Sequence, residues 1–473
     1  MTAVTTKHAR SLGLLEKYQL SKHLTHAYGT VNVTGHLAHP ACETDNVHTF
    51  YLGQLAPALT RLLHRHPLLS VVMRDIHSSS AHFAQLSSVD LSQVIRVGSA
   101  GETLEKSIHT QTSLDFDLDA LLPLWCIYIV PINNTSCYLT YTVHHAISDG
   151  MGLSIFWQEL LEELNNSSSV QQQENWIVQI PQDAIVASPY ELSNPPALSL
   201  VKDTVPLVLN SIGSKVLPTF ISKYLNPALT SWKGDFPAVD GESHNTDLLL
   251  FHVHSSEWSP LMKKAKEVGI SAHAIVFACV LLAWAKVYPD DGTVETGTPM
   301  NCRPMCNPPV AKHQLGNYVG AYNAFWTNDA TLRDYQKNPW LLAKKYHVDL
   351  QKNKIDGAKQ SLLLKFLPDF PGSYIDFWGD KRKNSNMGRS GGIEFSDLGR
   401  FSVPSSESDP WQLKDIYFCQ SAQIFTTAYS INGISANNNL YCTMTWQKGA
   451  LKDEKPEQLT NAFKDVIKAF LEN

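Results

Sequence analysis

Residues 144–150 read His-His-Ala-Ile-Ser-Asp-Gly and place two imidazoles, a carboxylate and a glycine side by side. A neutral imidazole, available near pH 7, can take a proton from a hydroxyl or an amine while that group attacks a carbonyl carbon. The same residues also fit a core histidine bonded to the backbone, followed by an Asp-Gly turn. The segment therefore predicts a general base, with that structural interpretation as its alternative.

The elements around this segment should hold it at the end of a strand. Residues 124–130 are apolar and aromatic, as in a buried strand, and residues 131–136 have the composition of a turn. Residues 137–143, rich in Tyr and Thr, predict the returning strand. Apolar residues at helical spacing after Gly150 predict a helix to Leu164. A junction between strand and helix favours a functional role, because such loops carry side chains on a rigid scaffold.

Composition excludes several classes of protein. The chain has 473 residues, 43% of them hydrophobic, and a formal net charge of −6, which predicts a folded protein and no nucleic-acid partner. Eight cysteines in so long a chain do not predict a disulfide scaffold, and we expect reduced thiols. Cys302 and Cys306 have neither the spacing of a zinc pair nor a second pair downstream, so no metal is expected.

The chain shows no signal for export or for a membrane. Its first ten residues are polar and lack the apolar core of a signal peptide. There is no run of about 20 apolar residues, so we expect no transmembrane segment and a cytoplasmic location.

Strands and helices alternate along two halves of the chain, which predicts an α/β or α+β fold with mixed sheets. We predict a first lobe over residues 1–180, a linker over 181–245, where Pro, Ser and Gly are scattered, and a second lobe over 246–473. In the second half, Ser256 predicts a helix N-cap, and a helix from Ser271 to about Tyr288, apolar nearly all round, should be buried. Strand candidates near the end of the chain are 391–397, 425–431 and 440–446.

The segment 144–150 resembles the HHxxxDG signature of the chloramphenicol-acetyltransferase-like superfamily of CoA-dependent acyltransferases. Other segments agree in that family's order: His66-Pro67-Leu68, Phe116-Asp117-Leu118, Pro123-Leu124-Trp125, Pro299 to Pro304, Leu315-Gly316-Asn317 and Glu394 to Gly399. Leu14 to Tyr28 also fits the fungal alcohol acetyltransferases, the subgroup that the chain resembles most. The resemblance implies two similar lobes, each a mixed sheet flanked by helices, with a tunnel between them.

The resemblance also implies roles for individual residues. His145 matches the general base that deprotonates an acceptor as it attacks the thioester of acyl-CoA, so no acyl-enzyme is expected. Asp149 and Arg303 match a pair that points away from substrate and fixes the loop. Gly150 is expected to allow a tight turn, and His144 to be structural, with a catalytic role as the alternative.

Acyl transfer also needs a donor for the oxyanion. Ser396 and Asn301 are the two candidates that the resemblance suggests. Asp397 stands where the subgroup has asparagine, so a carboxylate replaces a donor there.

A glycine-rich and basic stretch, residues 379–392, is interpreted as a flexible surface loop. Lys381, Arg382 and Arg389 within it are candidate ligands of the CoA phosphates, and solvated surface charge is the alternative. Asp376 to Asp380 departs from the DFGWG motif of plant BAHD enzymes, which argues against that subgroup.

The leading hypothesis is a monomeric acyltransferase that moves an acyl group, acetyl favoured, from acyl-CoA to a hydroxyl or amine of a small molecule. It needs acyl-CoA as cosubstrate and no bound cofactor. One alternative is a condensation-like domain whose acyl donor is carried on a carrier protein. The other is a non-catalytic descendant.

Overall fold

The computed structural model describes residues 4–166, 176–199, 230–239, 244–403 and 406–473. Its strands form sheets of six, five, three and two strands, and helices pack against them. Parallel and antiparallel pairs occur within the two larger sheets, so the predicted mixed α/β class is confirmed.

The elements of the first part of the chain surround the HHxxxDG segment. Its strands and helices are, in order, β1 Thr6–Ser11, α1 Leu14–Leu24, β2 Val31–Ala38, α2 Val47–Arg65, β3 Val71–Arg74, β4 His82–Leu86, β5 Ser88–Asp90, α3 Leu91–Val94, β6 Ile95–Val97, α4 Leu104–Thr112, β7 Trp125–Asn133, β8 Ser136–Val143, α5 Gly150–Asn166 and β9 Ile177–Gln179. The predicted hairpin and the helix after it are therefore present as β7, β8 and α5.

The second part of the chain builds the largest sheet, in the order β10-β16-β15-β13-β11-β12. Its elements are β10 Thr246–Val253, α6 Ser255–Val268, α7 Ala272–Val287, β11 Thr293–Asn301, β12 Val319–Thr327, α8 Ala330–Asp334, α9 Pro339–Lys359, α10 Gly372–Asn384, β13 Ile393–Arg400, β14 Gln412–Gln420, β15 Tyr429–Ala436, β16 Asn439–Gln447 and α11 Lys455–Glu472.

One strand passes from the second part into the sheet of the first. The five-stranded sheet has the order β14-β2-β8-β7-β6, and β14 pairs antiparallel with β2 along its whole length. The segment 246–473 therefore builds the six-stranded sheet and also contributes a strand to the sheet of the first part. Most of the expected linker, 181–245, lies outside the described residues.

Two boundaries differ from the sequence prediction for local reasons. Helix α6 begins at Ser255, not after Ser256, and His254 is its N-cap residue. The side chain of Asn439 accepts the Ser255 N–H at 2.8 Å, which does the work expected of a serine cap. The strand expected at 425–431 is β15, displaced because Thr426 and Thr427 donate their N–H groups to the Gln423 carbonyl in a turn.

Helix α7 is buried nearly all round, as its sequence predicts, and Ser271 caps it by accepting the Ala274 N–H.

Among the described residues no single helix is long and apolar enough to cross a bilayer. The pair α6 and α7, bent at 114°, meets that criterion only when both are counted together. All eight cysteines are free thiols.

Candidate active site

His145 lies two residues beyond the end of β8, on the wall of a cavity of about 510 Å³. The cavity is lined by residues of α1 and β2 from the first part of the chain and by β11, β12 and β13 from the second. A cavity of this size suits a small-molecule ligand. The structure thus brings the predicted base to a cavity between the two large sheets.

The surroundings of His145 favour its neutral form. Burial is the main cause that lowers the pKa of His145 to about 4, and the positive charge of Lys22 is the second. Asn317 holds the loop, because its Nδ2 donates to the His145 carbonyl at 3.0 Å and lies 3.4 Å from Nδ1. The ring of Tyr28 lies 5.9 Å away, between centroids. The imidazole can therefore act as a base at neutral pH.

Asp149 and Arg303 form a buried, two-pronged ion pair. Arg303 Nη1 donates to Asp149 Oδ2 at 2.8 Å and Nη2 donates to Oδ1 at 3.1 Å. The same carboxylate accepts the backbone N–H groups of Gly152 at 2.8 Å and Tyr318 at 2.9 Å. Arg303 also donates to the Gly316 carbonyl at 3.1 Å. Both carboxylate oxygens of Asp149 are thereby engaged, neither Asp149 nor Arg303 lines the cavity, and the pair ties the loop to the end of β11.

Comparison with known proteins places this geometry in a family. The model of the alcohol acetyltransferase family matches residues 99–467. The chain belongs to the alcohol acetyltransferase family. It is 20% identical over 477 aligned positions to a probable alcohol acetyltransferase, FCK4, of Fusarium pseudograminearum, covering 95% of this chain and 92% of the relative. It is 23% identical to an uncharacterized protein of Schizosaccharomyces pombe, covering 91% and 90%.

Solved structures support the same fold. The TRI3 trichothecene 15-O-acetyltransferase of Fusarium sporotrichioides superimposes with a TM-score of 0.69 at 12% identity, covering 99% of this chain and 96% of that one. The epimerization domain of tyrocidine synthetase B superimposes with a TM-score of 0.61 at 12% identity, covering 98% of both chains. The chain is an acyltransferase with the chloramphenicol-acetyltransferase-like fold, as the resemblance implied.

His144 has a structural position in this acyltransferase. Its ring is buried outside the lining of the cavity, and its Nδ1 accepts the N–H of Ala146 at 3.1 Å. Burial, together with the neighbouring His23 and His145, lowers its pKa well below the usual value. The geometry gives the alternative of a catalytic His144 no support.

A glycine is needed at position 150 for a different reason from the tight turn that the sequence predicted. It does not adopt a positive φ, so the turn does not require glycine. A Cβ at this position would lie 2.4 Å from Cδ2 of Leu398 on β13. The absence of a side chain therefore lets the start of α5 approach β13 closely.

The two candidate oxyanion donors have different positions. Ser396 on β13 lines the cavity with His145. Asn301 is exposed, and its Oδ1 accepts the N–H of Arg303 at 3.1 Å, so it supports the ion pair and does not face the cavity. Asp397 accepts the N–H of Gly399 at 2.7 Å, as fits a carboxylate.

The prediction of a flexible basic surface loop over residues 379–392 is wrong. Residues 372–384 form helix α10, because Tyr374 and Trp378 bury one of its faces. Arg389 is fully buried and donates to the carbonyls of residues 233 and 236, so it does not present its charge to a ligand. Arg382 donates to the carbonyl of residue 238 at 2.8 Å.

Lys381 lines the cavity of His145, with its Nζ 4.6 Å from the ring centroid of Phe377. Burial lowers the pKa of Lys381 to about 8. Of the three basic candidates it is the one that shares the cavity with the base.

Sequence reasoning missed the polar residues that share this cavity, above all Lys22, Gln420 and Gln423. Lys22 lies within the segment Leu14 to Tyr28 that resembles the family, so a signal for it was present. Gln420 ends β14 and Gln423 follows it in a stretch without a motif, and only the fold brings the two glutamines to the cavity of His145.

Proposed function

We propose that this acyltransferase moves an acetyl group from acetyl-CoA to a hydroxyl, or an amine, of a small-molecule acceptor bound in the cavity, with His145 as the general base. The observation that carries the proposal is a neutral imidazole on the cavity wall, on a loop held by a buried ion pair that does not line the cavity. Family membership supports the reaction class.

In the proposed reaction, the imidazole takes the proton of the acceptor hydroxyl as its oxygen bonds to the thioester carbonyl carbon. We propose that Nε2 takes this proton, which requires the neutral tautomer with its hydrogen on Nδ1, and the hydrogen bond of the ring to the His145 backbone carbonyl can hold that hydrogen. The tetrahedral intermediate then collapses, the C–S bond breaks, and the CoA thiolate receives the proton from the imidazolium. Because its pKa is lowered to about 4, the imidazolium of His145 is a stronger acid than an ordinary imidazolium, which favours this second transfer.

Ser396 is our proposed donor to the oxyanion, since its side chain lies on the cavity that contains the base. A preorganised donor of this kind contributes about 3–4 kcal/mol in acyl transfer. The roles of Asp149 and Arg303 are positional: neither lines the cavity, and their pairing holds the loop that carries His145. Cytoplasmic location and a monomeric state stay predictions from the sequence.

The test is release of free thiol from acetyl-CoA with a panel of alcohols and amines. We expect thiol release that requires both an acceptor and the native His145. The variant His145→Ala should abolish it, and His109→Ala, at an exposed histidine on α4, should not. A folded enzyme that ignores free acetyl-CoA but accepts an acylated carrier protein would replace this proposal with the condensation-like alternative.

A further inference from the structure

The cavity that contains His145 also holds a balanced set of charges. Among the described residues that line it, the charged side chains besides the histidine are Lys22, Lys381, Glu295 and Glu394. Two amines and two carboxylates give this lining no net charge when all four are ionised. A simple alkyl chain would offer these charged groups neither a hydrogen bond nor an opposite charge. We therefore asked which polar group of a substrate they could bind.

Gln423 bridges Lys22 and Glu394 without a direct contact between them. Lys22 Nζ donates to Gln423 Oε1 at 2.8 Å. Glu394 Oε1 accepts from Gln423 Nε2 at 2.5 Å and from Gln420 Nε2 at 3.0 Å. Both donors thus use one carboxylate oxygen, and Oε2 accepts no hydrogen bond from any residue that the structure describes.

Aromatic rings fix the position of Lys22. Its Nζ lies 5.0 Å from the ring centroid of Tyr18, 4.9 Å from that of Tyr28 and 5.6 Å from that of Trp378. Such cation–π contacts stabilise a buried ammonium. Because the ring of Tyr28 is also 5.9 Å from that of His145, the polar cluster lies one aromatic ring away from the base.

The charges of this cluster are incompletely stabilised. Burial raises the pKa of Glu394 above its usual value and lowers the pKa of Lys22 to about 8. Glu394 is only partly buried, and its unpartnered Oε2 is not sealed from solvent, so a ligand in the cavity can reach it. A ligand that donates a hydrogen bond to Oε2 would supply what the protein does not.

We infer that Glu394 Oε2 accepts a hydrogen bond from a second hydroxyl of the acceptor, so that the acceptor is a neutral molecule with at least two hydroxyls rather than a simple alkanol. The inference rests on the proposed function and deepens it by naming the substrate class. The lining carries no net charge that would draw in an acceptor of either sign, which favours a neutral acceptor.

The experiment compares linear diols with their monomethyl ethers over a series of chain lengths, with acetyl-CoA as donor. Each ether keeps the reacting hydroxyl, loses the ability of the other end to donate, and gains one methyl group, whose steric effect the Glu394 variant below separates from the hydrogen bond. At the best chain length the native enzyme should prefer the diol by about tenfold or more in kcat/KM, beyond the factor of two for its equivalent ends. This comparison needs no variant.

Glu394→Gln then tests the residue itself. The variant keeps Oε1 and replaces the accepting Oε2 with an amide nitrogen that donates. We expect its preference for the diol to fall to about twofold or less, because the new amide can donate to the ether oxygen as well as to a hydroxyl, with KM for acetyl-CoA changed less than about twofold. Glu472→Gln, at an exposed glutamate near the end of α11, should keep the native preference.

Three outcomes would overturn the inference. Equal rates for diol and ether at every chain length would do so, as would a full diol preference in Glu394→Gln. A Glu394→Gln defect confined to KM for acetyl-CoA would assign the cluster to the donor instead. In each of these cases thiol release still depends on His145, so the proposed function stands. Absence of thiol release with every compound would contradict the proposed function, and this inference with it.

Discussion

At the scale of the residue, the site depends on a histidine kept neutral by its surroundings. Burial and the nearby Lys22 both disfavour the imidazolium form of His145. Asp149 opposes this shift, but its carboxylate is neutralised in part by Arg303. The imidazole therefore stays deprotonated well below pH 7.

The pH dependence of kcat/KM follows from this pKa. In the proposed mechanism the active form is neutral imidazole, so we predict constant activity as pH falls from about 8 to about 6, with loss only as pH approaches about 4. Lys22→Met removes a charge that lowers the pKa, so its acid limb should move to higher pH. Rates measured beside circular dichroism at each pH check both points. An acid limb near 6.5 in the native enzyme would contradict the account.

The buried ion pair predicts a large effect on stability. Asp149→Ala leaves Arg303 buried without its carboxylate, and the free energy of unfolding should fall by about 3–5 kcal/mol, with activity lost because the loop is released. The exposed pair Lys286–Asp465 provides the control: Asp465→Ala should cost less than about 1 kcal/mol. Urea unfolding of both variants measures the difference, and equal losses would mean that the Asp149 pair does not hold the loop.

At the scale of the element, the contact between the start of α5 and β13 sets the position of the loop. Local patterns predicted β7, β8, α5 and α7, because alternating or helical apolar spacing is read over a few residues. They did not predict α10, because its many charged residues and glycines leave only a weak helical pattern around the buried Trp378. They also gave the wrong reason for Gly150, because its close approach to Leu398 is a tertiary contact.

This contact predicts a compensating pair of substitutions. Gly150→Ala places a Cβ against Leu398, so one element must move and stability should fall by about 1–3 kcal/mol, with activity reduced. Leu398→Ala in the same molecule removes the clashing atoms and should restore a large part of the activity. A double-mutant cycle on kcat/KM and melting temperature measures the coupling. Strictly additive effects would show that the two residues do not interact.

At the scale of the whole molecule, β14 and the Asp149–Arg303 pair join the two large sheets. The sequence predicted the fold class and the motif order, since these follow from local patterns and from family resemblance. It could not pair β14 with β2, nor bring Lys22 to Glu394, because those partners are more than 350 residues apart and no local signal links them. The cavity is therefore a product of the assembled fold.

Shared strands predict cooperative unfolding. Because β14 completes the sheet of the first part, the two halves should lose structure together, in one calorimetric transition whose midpoint coincides with the fluorescence midpoint. Two transitions separated in temperature would contradict this and would mean that each lobe is stable without the other.

The role of His145 as the general base is tested by kcat for thiol release in the variant His145→Ala. The melting temperature is measured on the same sample. The account predicts a loss of about 10²–10⁴-fold with an unchanged melting temperature, because the variant removes the base and not a buried partner. His145→Ala that stays folded and turns over acetyl-CoA at the native rate would show that another group takes the proton.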